Sequence, residues 1–403
     1  MYDAIIVGAR CAGSPTAMQL ARKNYKVLLL DRTTFPSNIN STHFIWQSGV
    51  ARLQKWDLLD DLRATECPAV TKMRLDLGDI VLTGCPVAAE GGTREAFGPR
   101  RTVIDTILVN AAAASGVEVR EAFSVQELVF EDDRVTGIRG AAKGGSTVTE
   151  HARIVIGADG GNSTVAKAVG ASKTLERPMV ACGFYSYWSG LRTDGAELYV
   201  RRNRTIIRFP TNDDLTCLIA IAPASEFAGY RADVERTYMS SLDQAPTIAE
   251  AVRSARREEP FMGGIFSNFF RKPFGPGWAL VGDAGYLKDP YSAQGISDAF
   301  RDSELLTDAL DAAFSGRRNF DEALADYERL RNETAMPAFE SNIQRASHTP
   351  PPRETIELFR ALQGNQEQID RFFGVDAGTV PYADFFSPEN IQKIMSRSTS
   401  KGA

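Results

Sequence analysis

The sequence is poor in histidine and cysteine, and these shortages narrow the functions open to it. Its 403 residues include three histidines and five cysteines, and the cysteines stand far apart. There is no Cys-x-x-Cys pair and no Cys/His cluster, so a zinc site is not expected. Scattered cysteines in odd number are typical of reduced thiols in the cytosol. We therefore predict that no metal site is present.

Long apolar runs and an excess of positive charge are also missing. No run approaches the roughly 18 apolar residues that a bilayer-spanning helix needs, and residues 1–7 show no charged leader region. With a net charge of −5, the chain offers no basic surface to nucleic acid. We expect a cytoplasmic protein without stable membrane insertion or a nucleic-acid partner. Its length is sufficient for two or three domains.

What the sequence does contain is a glycine-rich turn at the start of a β–α–β unit. Residues 3–7 form a short apolar run typical of a buried parallel strand, residues 15–22 have helical spacing, and residues 26–30 form a second apolar run. Between the first strand and the helix lies the segment Gly8-Ala9-Arg10-Cys11-Ala12-Gly13. This order is typical of a dinucleotide site in which the helix N-terminus faces a pyrophosphate.

Individual residues of this unit predict contacts with a dinucleotide. Gly8 makes the tight turn, Gly13 lets the helix pack closely on the sheet, and Asp31 suits the hydroxyl groups of an adenosine ribose. Arg10 departs from the pattern, because it replaces the usual second glycine. The predicted contacts in this unit are Gly8, Arg10, Cys11, Ala12, Gly13, Asp31 and Arg32.

Two further turns follow apolar strands much later in the chain. Residues 154–156 lead into Asp159-Gly160, and residues 278–281 lead into Gly282-Asp283. Gln294-Gly295 then opens an amphipathic helix that begins at Ile296. Paired glycine-rich turns at the two ends of the chain suggest a dinucleotide that is held at both of its ends.

Together these motifs resemble the FAD-dependent aromatic hydroxylase family, the flavoprotein monooxygenases built like p-hydroxybenzoate hydroxylase. The GxGxxG, DG and GD motifs of that family correspond to Gly8–Gly13, Asp159-Gly160 and Gly282-Asp283, over about residues 1–330. The resemblance implies bound FAD and a redox reaction. The same motifs also occur in flavin-dependent halogenases and geranylgeranyl reductases, so they predict the cofactor more sharply than the reaction.

The resemblance implies further cofactor contacts. Asp283 would meet the ribitol, Arg101 the phosphate and ribose region, and the backbone of Val125 the adenine. The guanidinium of Arg10 is placed to lie along the phosphates or the flavin edge. The implied contacts outside the first unit are Arg101, Val125, Asp159, Gly160, Gly282, Asp283, Pro290, Gln294, Gly295 and Ile296.

We predict an α/β fold, α+β overall, with a Rossmann-like FAD-binding domain, an inserted antiparallel β-sheet substrate domain and a helical C-terminus. Alternating apolar residues in 196–221, separated by polar turns, predict the strands of the inserted sheet. The predicted domains are residues 1–66, 99–177 and 276–330 for FAD, residues 67–98 and 178–275 for substrate, and residues 331–403 as a C-terminal helical segment. The last residues of the tail that ends in Ser396 to Ala403 are expected to be disordered.

Aromatic residues are dense in the predicted substrate domain. Tyr185, Tyr187 and Phe209 are candidates for contacts with a flat or hydrophobic substrate. The alternative is that most of these aromatic side chains belong to the hydrophobic core.

His43 is the candidate catalytic residue. The matching segment of the family runs beside the isoalloxazine ring, where an imidazole can orient substrate, take a phenolic proton or bond the flavin. The alternative is a structural hydrogen bond near a helix start. His151 and His348 lie outside the motifs and are expected at the surface.

The resemblance implies a monooxygenase that uses NAD(P)H, O2 and a flavin C4a-hydroperoxide to hydroxylate or epoxidise an aromatic or hydrophobic small molecule. No second dinucleotide unit is visible, so NAD(P)H would visit transiently, or a separate flavin reductase would supply electrons. One alternative is a halogenase, although its WxWxIP signature is missing. The other is a reductase of prenyl or alkene bonds, which the loose match at Arg208-Phe209-Pro210 keeps open.

Overall fold

The computed structural model describes residues 1–41 and 43–399, and within these residues it contains many short strands. In chain order the strands are β1 (Tyr2–Val7), β2 (Val27–Leu30), β3 (Ala69–Val70), β4 (Met73–Asp76), β5 (Val81–Gly84), β6 (Ala96–Phe97), β7 (Glu118–Arg120), β8 (Phe123–Glu131), β9 (Arg134–Ala142), β10 (Val148–Gly157), β11 (Lys173–Arg177), β12 (Ala181–Ser189), β13 (Ala196–Arg201), β14 (Arg204–Thr211), β15 (Leu215–Pro223), β16 (Arg256–Arg257), β17 (Met262–Ile265), β18 (Asn268–Arg271), β19 (Phe274–Gly275), β20 (Trp278–Leu280) and β21 (Tyr286–Leu287).

Helices separate these strands and make up nearly all of the C-terminal part. In chain order they are α1 (Gly13–Arg22), α2 (Gln47–Lys55), α3 (Leu59–Arg63), α4 (Arg101–Ala114), α5 (Thr164–Ala168), α6 (Phe227–Ala232), α7 (Val234–Leu242), α8 (Pro246–Ser254), α9 (Gly295–Phe314), α10 (Phe320–Ala346), α11 (Arg353–Leu362), α12 (Gln366–Asp376), α13 (Tyr382–Phe385) and α14 (Pro388–Thr399). α14 extends into the predicted tail as far as Thr399, and the last residues, which were expected to be disordered, lie outside the described part of the chain.

The first layer is a sheet whose strands run in the order β19-β20-β10-β1-β2-β7, with a parallel centre from β20 to β7. Helices α1, α4 and α9 cover one face of this sheet. The β8–β9 hairpin covers the other face. Strands that are buried on both faces appear as continuous apolar runs, and for that reason β1 and β2 could be predicted.

The second layer is a sheet in the order β16-β12-β15-β14-β13-β4-β5. It is antiparallel from β16 to β13, and β4 joins it in parallel beside β13. One face packs on α6, α7 and α8. The opposite face packs on residues of α11, α12, α13 and α14.

The architecture confirms the predicted α/β fold with an antiparallel sheet and a helical C-terminus. Thr349–Pro352, with its three consecutive prolines, separates α10 from α11. Among the described residues, no helix is long and apolar enough to cross a membrane.

Candidate cofactor and substrate site

The turns that the motifs predict meet at one edge of the parallel sheet. Val7, Gly157 and Leu280 stand in register at the ends of β1, β10 and β20, and Leu30 ends β2 beside Val7. Ligands of open α/β sheets bind at this carboxyl edge. The fold therefore brings together turns from the two ends of the chain, namely Gly8–Gly13, Asp31-Arg32, Ala158–Gly160 and Gly282-Asp283.

A cavity of about 2130 Å³ opens at this edge and continues between the antiparallel sheet and the C-terminal helices. All predicted cofactor residues line it except Gly13. Sites for one small ligand usually have volumes of about 300–1,000 Å³. This cavity therefore has room for a dinucleotide together with a second ligand.

The glycines of the motifs allow close packing between the turns. A Cβ on Gly8 would lie 2.4 Å from the carbonyl oxygen of Ala158, and a Cβ on Gly282 would lie 2.7 Å from the Cβ of Ala12. Gly13 is packed on Gly8 itself, which explains its absence from the cavity wall. The first and last motifs are therefore in direct contact, and larger residues at these positions would force them apart.

Arg10 is fixed by protein groups at the cavity wall. Its Nη1 lies 2.5 Å from Oδ2 of Asp105, and its Nη2 donates to Oγ of Ser37 at 2.7 Å. Arg101 donates to both oxygens of the same Asp105 carboxylate, at 2.9 and 3.0 Å. Asp105 is fully buried, so one carboxylate neutralises part of the charge of two arginines and orients both.

Cys11 completes this cluster. Its thiol donates to Oδ1 of Asp105 at 3.3 Å. Burial raises the pKa of the thiol well above its ordinary value, so Cys11 is a neutral donor and not a thiolate nucleophile.

The carboxylate of Asp31 holds the first turn. It accepts hydrogen bonds from the backbone N–H of Ala9 at 2.8 Å and from the N–H and hydroxyl of Thr33 at 2.9 and 2.8 Å. A carboxylate has about four acceptor positions, so one is left for a ligand hydroxyl. Arg32 is exposed beside it, and Val125 on β8 also lines the cavity, which suits the adenosine end of a dinucleotide.

Asp283 presents an open carboxylate to the cavity. Among the described residues none donates a hydrogen bond to this carboxylate, although Arg101 lies nearby and lowers its pKa. Enclosure by protein on the other sides outweighs that effect and raises the pKa of Asp283 to about 6. An acceptor held in place without a partner suits a polyhydroxyl group such as the ribitol of FAD.

Asp159 has one satisfied and one orphaned oxygen. Oδ2 accepts from the backbone N–H groups of Thr164 and Val165 at 2.6 and 3.3 Å, so it supplements the N-cap residue Ser163 at the start of α5. Oδ1 is buried without a partner in the described structure. Gly160 has φ +79°, and a Cβ there would meet no atom within 4 Å. This turn therefore fits a ligand as well as serving as a helix cap.

The turn before α9 is braced from several sides. Gln294 accepts from Lys288 Nζ at 2.8 Å and donates to the backbone carbonyl of Asp376 on α12 at 3.0 Å. Lys288 is buried and lies 2.8 Å from Oδ2 of Asp298. A Cβ on Gly295 would meet no atom within 4 Å, so the helix N-terminus faces open cavity beside Pro290 and Ile296. Such an N-terminus favours negative charge.

The predicted substrate residues divide into two groups. Tyr185 and Phe209 line the cavity, whereas His43 and Tyr187 are buried and are not among its described lining residues. His43 Nε2 lies 2.8 Å from the hydroxyl of Tyr187, and Arg100 stacks 3.9 Å above the Tyr187 ring. Burial lowers the pKa of His43 to about 3, assisted by the nearby Arg100, so its imidazole is neutral.

Several residues of the site and of its support were missed by sequence reasoning. Trp46 donates its indole N–H to the carbonyl of Ser292 at 2.9 Å and so joins the turn before α9 to the segment after His43. Asp105 was missed as well, although its spacing of four residues from Arg101 on one helix was a visible signal. His348 was expected at the surface but is half-buried and lines the cavity, whereas His151 is exposed as predicted.

The C-terminal helices were predicted as a separate segment, yet they form one wall of the cavity. Their lining side chains are mainly apolar and come from α11, α12 and α14 and from the segments on either side of α13: Ile356, Leu358, Phe359, Phe372, Phe373, Val380, Phe386 and Ile391. Helical periodicity shows that such faces are apolar but not which sheet they cover.

Comparisons with known proteins agree with this geometry. The model of the FAD binding domain family matches residues 1–341. Digeranylgeranylglycerophospholipid reductase 1 of Methanococcoides burtonii is 26% identical over 309 residues, which cover 74% of this chain and 71% of the reductase. The flavin-dependent brominase Bmp2 has a similar fold, with a TM-score of 0.84 at 17% identity over 99% of both chains. So does pqsL, a probable FAD-dependent monooxygenase from Pseudomonas aeruginosa, with a TM-score of 0.71 at 18% identity over 93% of this chain and 99% of that one.

Proposed function

The chain belongs to the FAD binding domain family, and we propose that it is a monooxygenase that hydroxylates or epoxidises an aromatic or hydrophobic small molecule. It is an FAD-dependent oxidoreductase of the group that contains halogenases, monooxygenases and reductases. When bound, FAD would take electrons from NAD(P)H and activate O2. The observation that supports the proposal best is that one cavity is lined both by the cofactor turns and by apolar side chains of the antiparallel sheet and the C-terminal helices.

The residues of the chain divide the work of holding FAD. Asp31 and the N-terminus of α1 would hold the adenosine and pyrophosphate. Asp283 would accept hydrogen bonds from the ribitol, and the N-terminus of α9 at Gly295 would stabilise negative charge at the pyrimidine end. Arg101, oriented by Asp105, would add positive charge between the adenosine half and the flavin half of the cofactor.

The C-terminal helices would exclude water from the site. Gln294 is bonded to the carbonyl of Asp376, and the carboxylate of Asp376 accepts from Arg345 at 2.8 and 2.9 Å. These contacts fix α12 beside the turn where the flavin end would lie. A dry site suppresses loss of reactive intermediates to water, which oxygen transfer requires.

His43 and Tyr187 act as positioning residues in this proposal. A neutral, buried imidazole outside the cavity wall is not placed to take a proton from substrate. Its ring instead packs edge to face against Phe209, with 5.4 Å between the ring centroids, and Phe209 does line the cavity. The His43–Tyr187 hydrogen bond would therefore hold the aromatic wall against which substrate lies.

A reductase of alkene bonds is the second candidate, and the similarity to the Methanococcoides burtonii reductase supports it. A halogenase is the third candidate, and the similar fold of the brominase Bmp2 is compatible with it. Lys288 is the only lysine among the described residues that line the cavity, and it is ion-paired with Asp298.

The proposal is tested by the oxygen requirement of turnover. Purified protein should carry FAD, and NAD(P)H oxidation in air should rise when a phenolic or hydrophobic substrate is added and should yield an oxygenated product. If an alkene is reduced under anaerobic conditions instead, the second candidate is correct. Colourless protein that cannot be reconstituted with FAD would refute both.

A further inference from the structure

Apolar side chains form one continuous row on the face of the antiparallel sheet that lines the cavity. Cross-strand register places Tyr185 beside Ile219, Ile219 beside Ile207, Ile207 beside Leu198, and Leu198 beside Leu75. Residues in register on neighbouring strands project from the same face. All five line the cavity, and they belong to the apolar cluster that the sheet shares with the C-terminal helices, so the row forms part of the cavity wall between these two elements.

The row is long. It crosses five adjacent strands, and four strand spacings of about 4.8 Å give a length of about 19 Å. One end is at Tyr185, whose hydroxyl accepts from the backbone N–H of Ser41 at 3.1 Å, close to the segment that Trp46 ties to the cofactor turn. The other end is at Leu75 on β4. The row therefore leads away from the cofactor region.

The channel between this row and the C-terminal helices is mainly apolar. Opposite the row, the C-terminal helices contribute Ile356, Phe359, Phe372 and Phe386 to the cavity wall. Glu197 and Arg201 also border the cavity, but each is held in an ion pair at 2.8 Å, Glu197 with Arg208 and Arg201 with Asp76. Polar substrates would leave their hydrogen-bonding groups unpaired along this channel.

We propose that the row of Tyr185, Ile219, Ile207, Leu198 and Leu75 binds an extended hydrocarbon chain, with the reacting part at the Tyr185 end. This inference rests on the proposed function, because it names the class of substrate that the same site accepts. A compact aromatic molecule would cover only part of this row. An acyl chain and an isoprenoid chain share the required chemistry, since both are long, flexible and apolar.

Chain length is the variable that tests the proposal. Binding to FAD-saturated protein is measured by calorimetry for octanoate, laurate and palmitate, and in parallel for geraniol, farnesol and geranylgeraniol. Affinity should rise by up to about fourfold for each methylene group that enters the channel. A rise in the acids alone assigns an acyl chain, a rise in the alcohols alone assigns an isoprenoid chain, and a rise in both assigns any extended hydrocarbon. Equal affinities along both series would overturn the proposal.

Two variants locate the channel. Ile207→Trp should block it midway and abolish the gain from octanoate to laurate, whereas Leu75→Trp should abolish only the gain from laurate to palmitate. Val148→Trp, on the exposed part of β10, is the control for an added indole. Each variant must retain its flavin spectrum. If both cavity variants bind the whole series as wild type does, the row is not the binding surface.

Failure of this inference can be told apart from failure of the proposed function. Length-dependent binding without oxygenated product would support the channel and rule out the monooxygenase reaction. Oxygenation of compact phenols without length dependence would support the monooxygenase and overturn the channel.

Discussion

The carboxylate of Asp105 and the guanidinium of Arg10 lie 95 residues apart in sequence and meet at 2.5 Å. Asp105 is fully buried and also holds Arg101. Arg10 occupies the place of the second glycine of a dinucleotide motif, and this contact draws its side chain against the protein. The residue that departs from the motif is thus accommodated by a partner on α4.

Asp105→Asn should destabilise the protein because it leaves two arginines without their shared counter-charge. We expect a loss of about 3 kcal/mol or more in the free energy of unfolding, measured by urea titration. Arg10→Gly should cost less, since Asp105 keeps Arg101. In the double variant, Arg10→Gly should recover part of the loss. Strictly additive effects of the two substitutions would show that the pair is not coupled.

Asp283→Asn should weaken FAD binding by about tenfold or more, because hydrogen bonds to a charged acceptor contribute about 1.5–3 kcal/mol. In wild type the carboxylate is protonated as pH falls below about 6. FAD affinity should therefore fall below that pH in wild type and change less in the variant. Fluorescence titration with FAD on either side of pH 6 measures both effects. An equal pH dependence in the two proteins would show that the Asp283 carboxylate does not bind FAD.

His43→Ala should retain FAD but lower the fraction of NAD(P)H use that yields product, because Phe209 and Tyr187 lose their support. Tyr187→Phe is the matched variant, since it removes only the hydroxyl that meets His43. We expect both to lower coupling several-fold without moving the pH profile of turnover. A shifted profile in His43→Ala alone would show that the imidazole carries a proton in the reaction.

Asp289→Asn should stabilise the protein above pH 6. Burial raises the pKa of Asp289 from 3.8 to about 6, against the opposing effect of the Tyr291 backbone N–H. The folded state therefore binds a proton more tightly than the unfolded state, and ionisation destabilises it as pH rises through 4 to 6. Above this range the variant should gain up to about 3 kcal/mol.

The stability difference between Asp289→Asn and wild type should depend on pH in one direction only. Below pH 3.8, where the carboxyl is protonated in both states, the two proteins should differ little. Thermal unfolding across this pH range provides the comparison. Greater stability of wild type above pH 6 would mean that the Asp289 carboxylate has a partner that the structure lacks.

Sequence reasoning succeeded where local pattern and physical cause coincide. β1 and β2 are apolar because both of their faces are covered, and the turn after β1 is glycine-rich because Gly8 and Gly13 are packed against backbone atoms. Parallel strand ends then bring Asp31 and Asp283 to one edge. These relationships follow from strand polarity, so they could be predicted without contacts.

Relationships that depend on tertiary packing could not be predicted. Nothing local shows that Asp376 on α12 bonds Gln294, or that the C-terminal helices face the antiparallel sheet. The same holds for His43, whose neighbourhood matched a flavin-facing segment although its ring turned toward Tyr187. A side chain's direction in an irregular segment is set by the neighbours it meets, and these come from distant parts of the chain.

The most direct test of the central claim is the origin of the oxygen atom in the product. FAD-loaded protein with NAD(P)H and a hydrophobic substrate is incubated under isotopically labelled O2, and the product is analysed by mass spectrometry. The monooxygenase proposal predicts one labelled oxygen atom in each product molecule. A product that gains two hydrogen atoms and no label, formed equally well without O2, would contradict it.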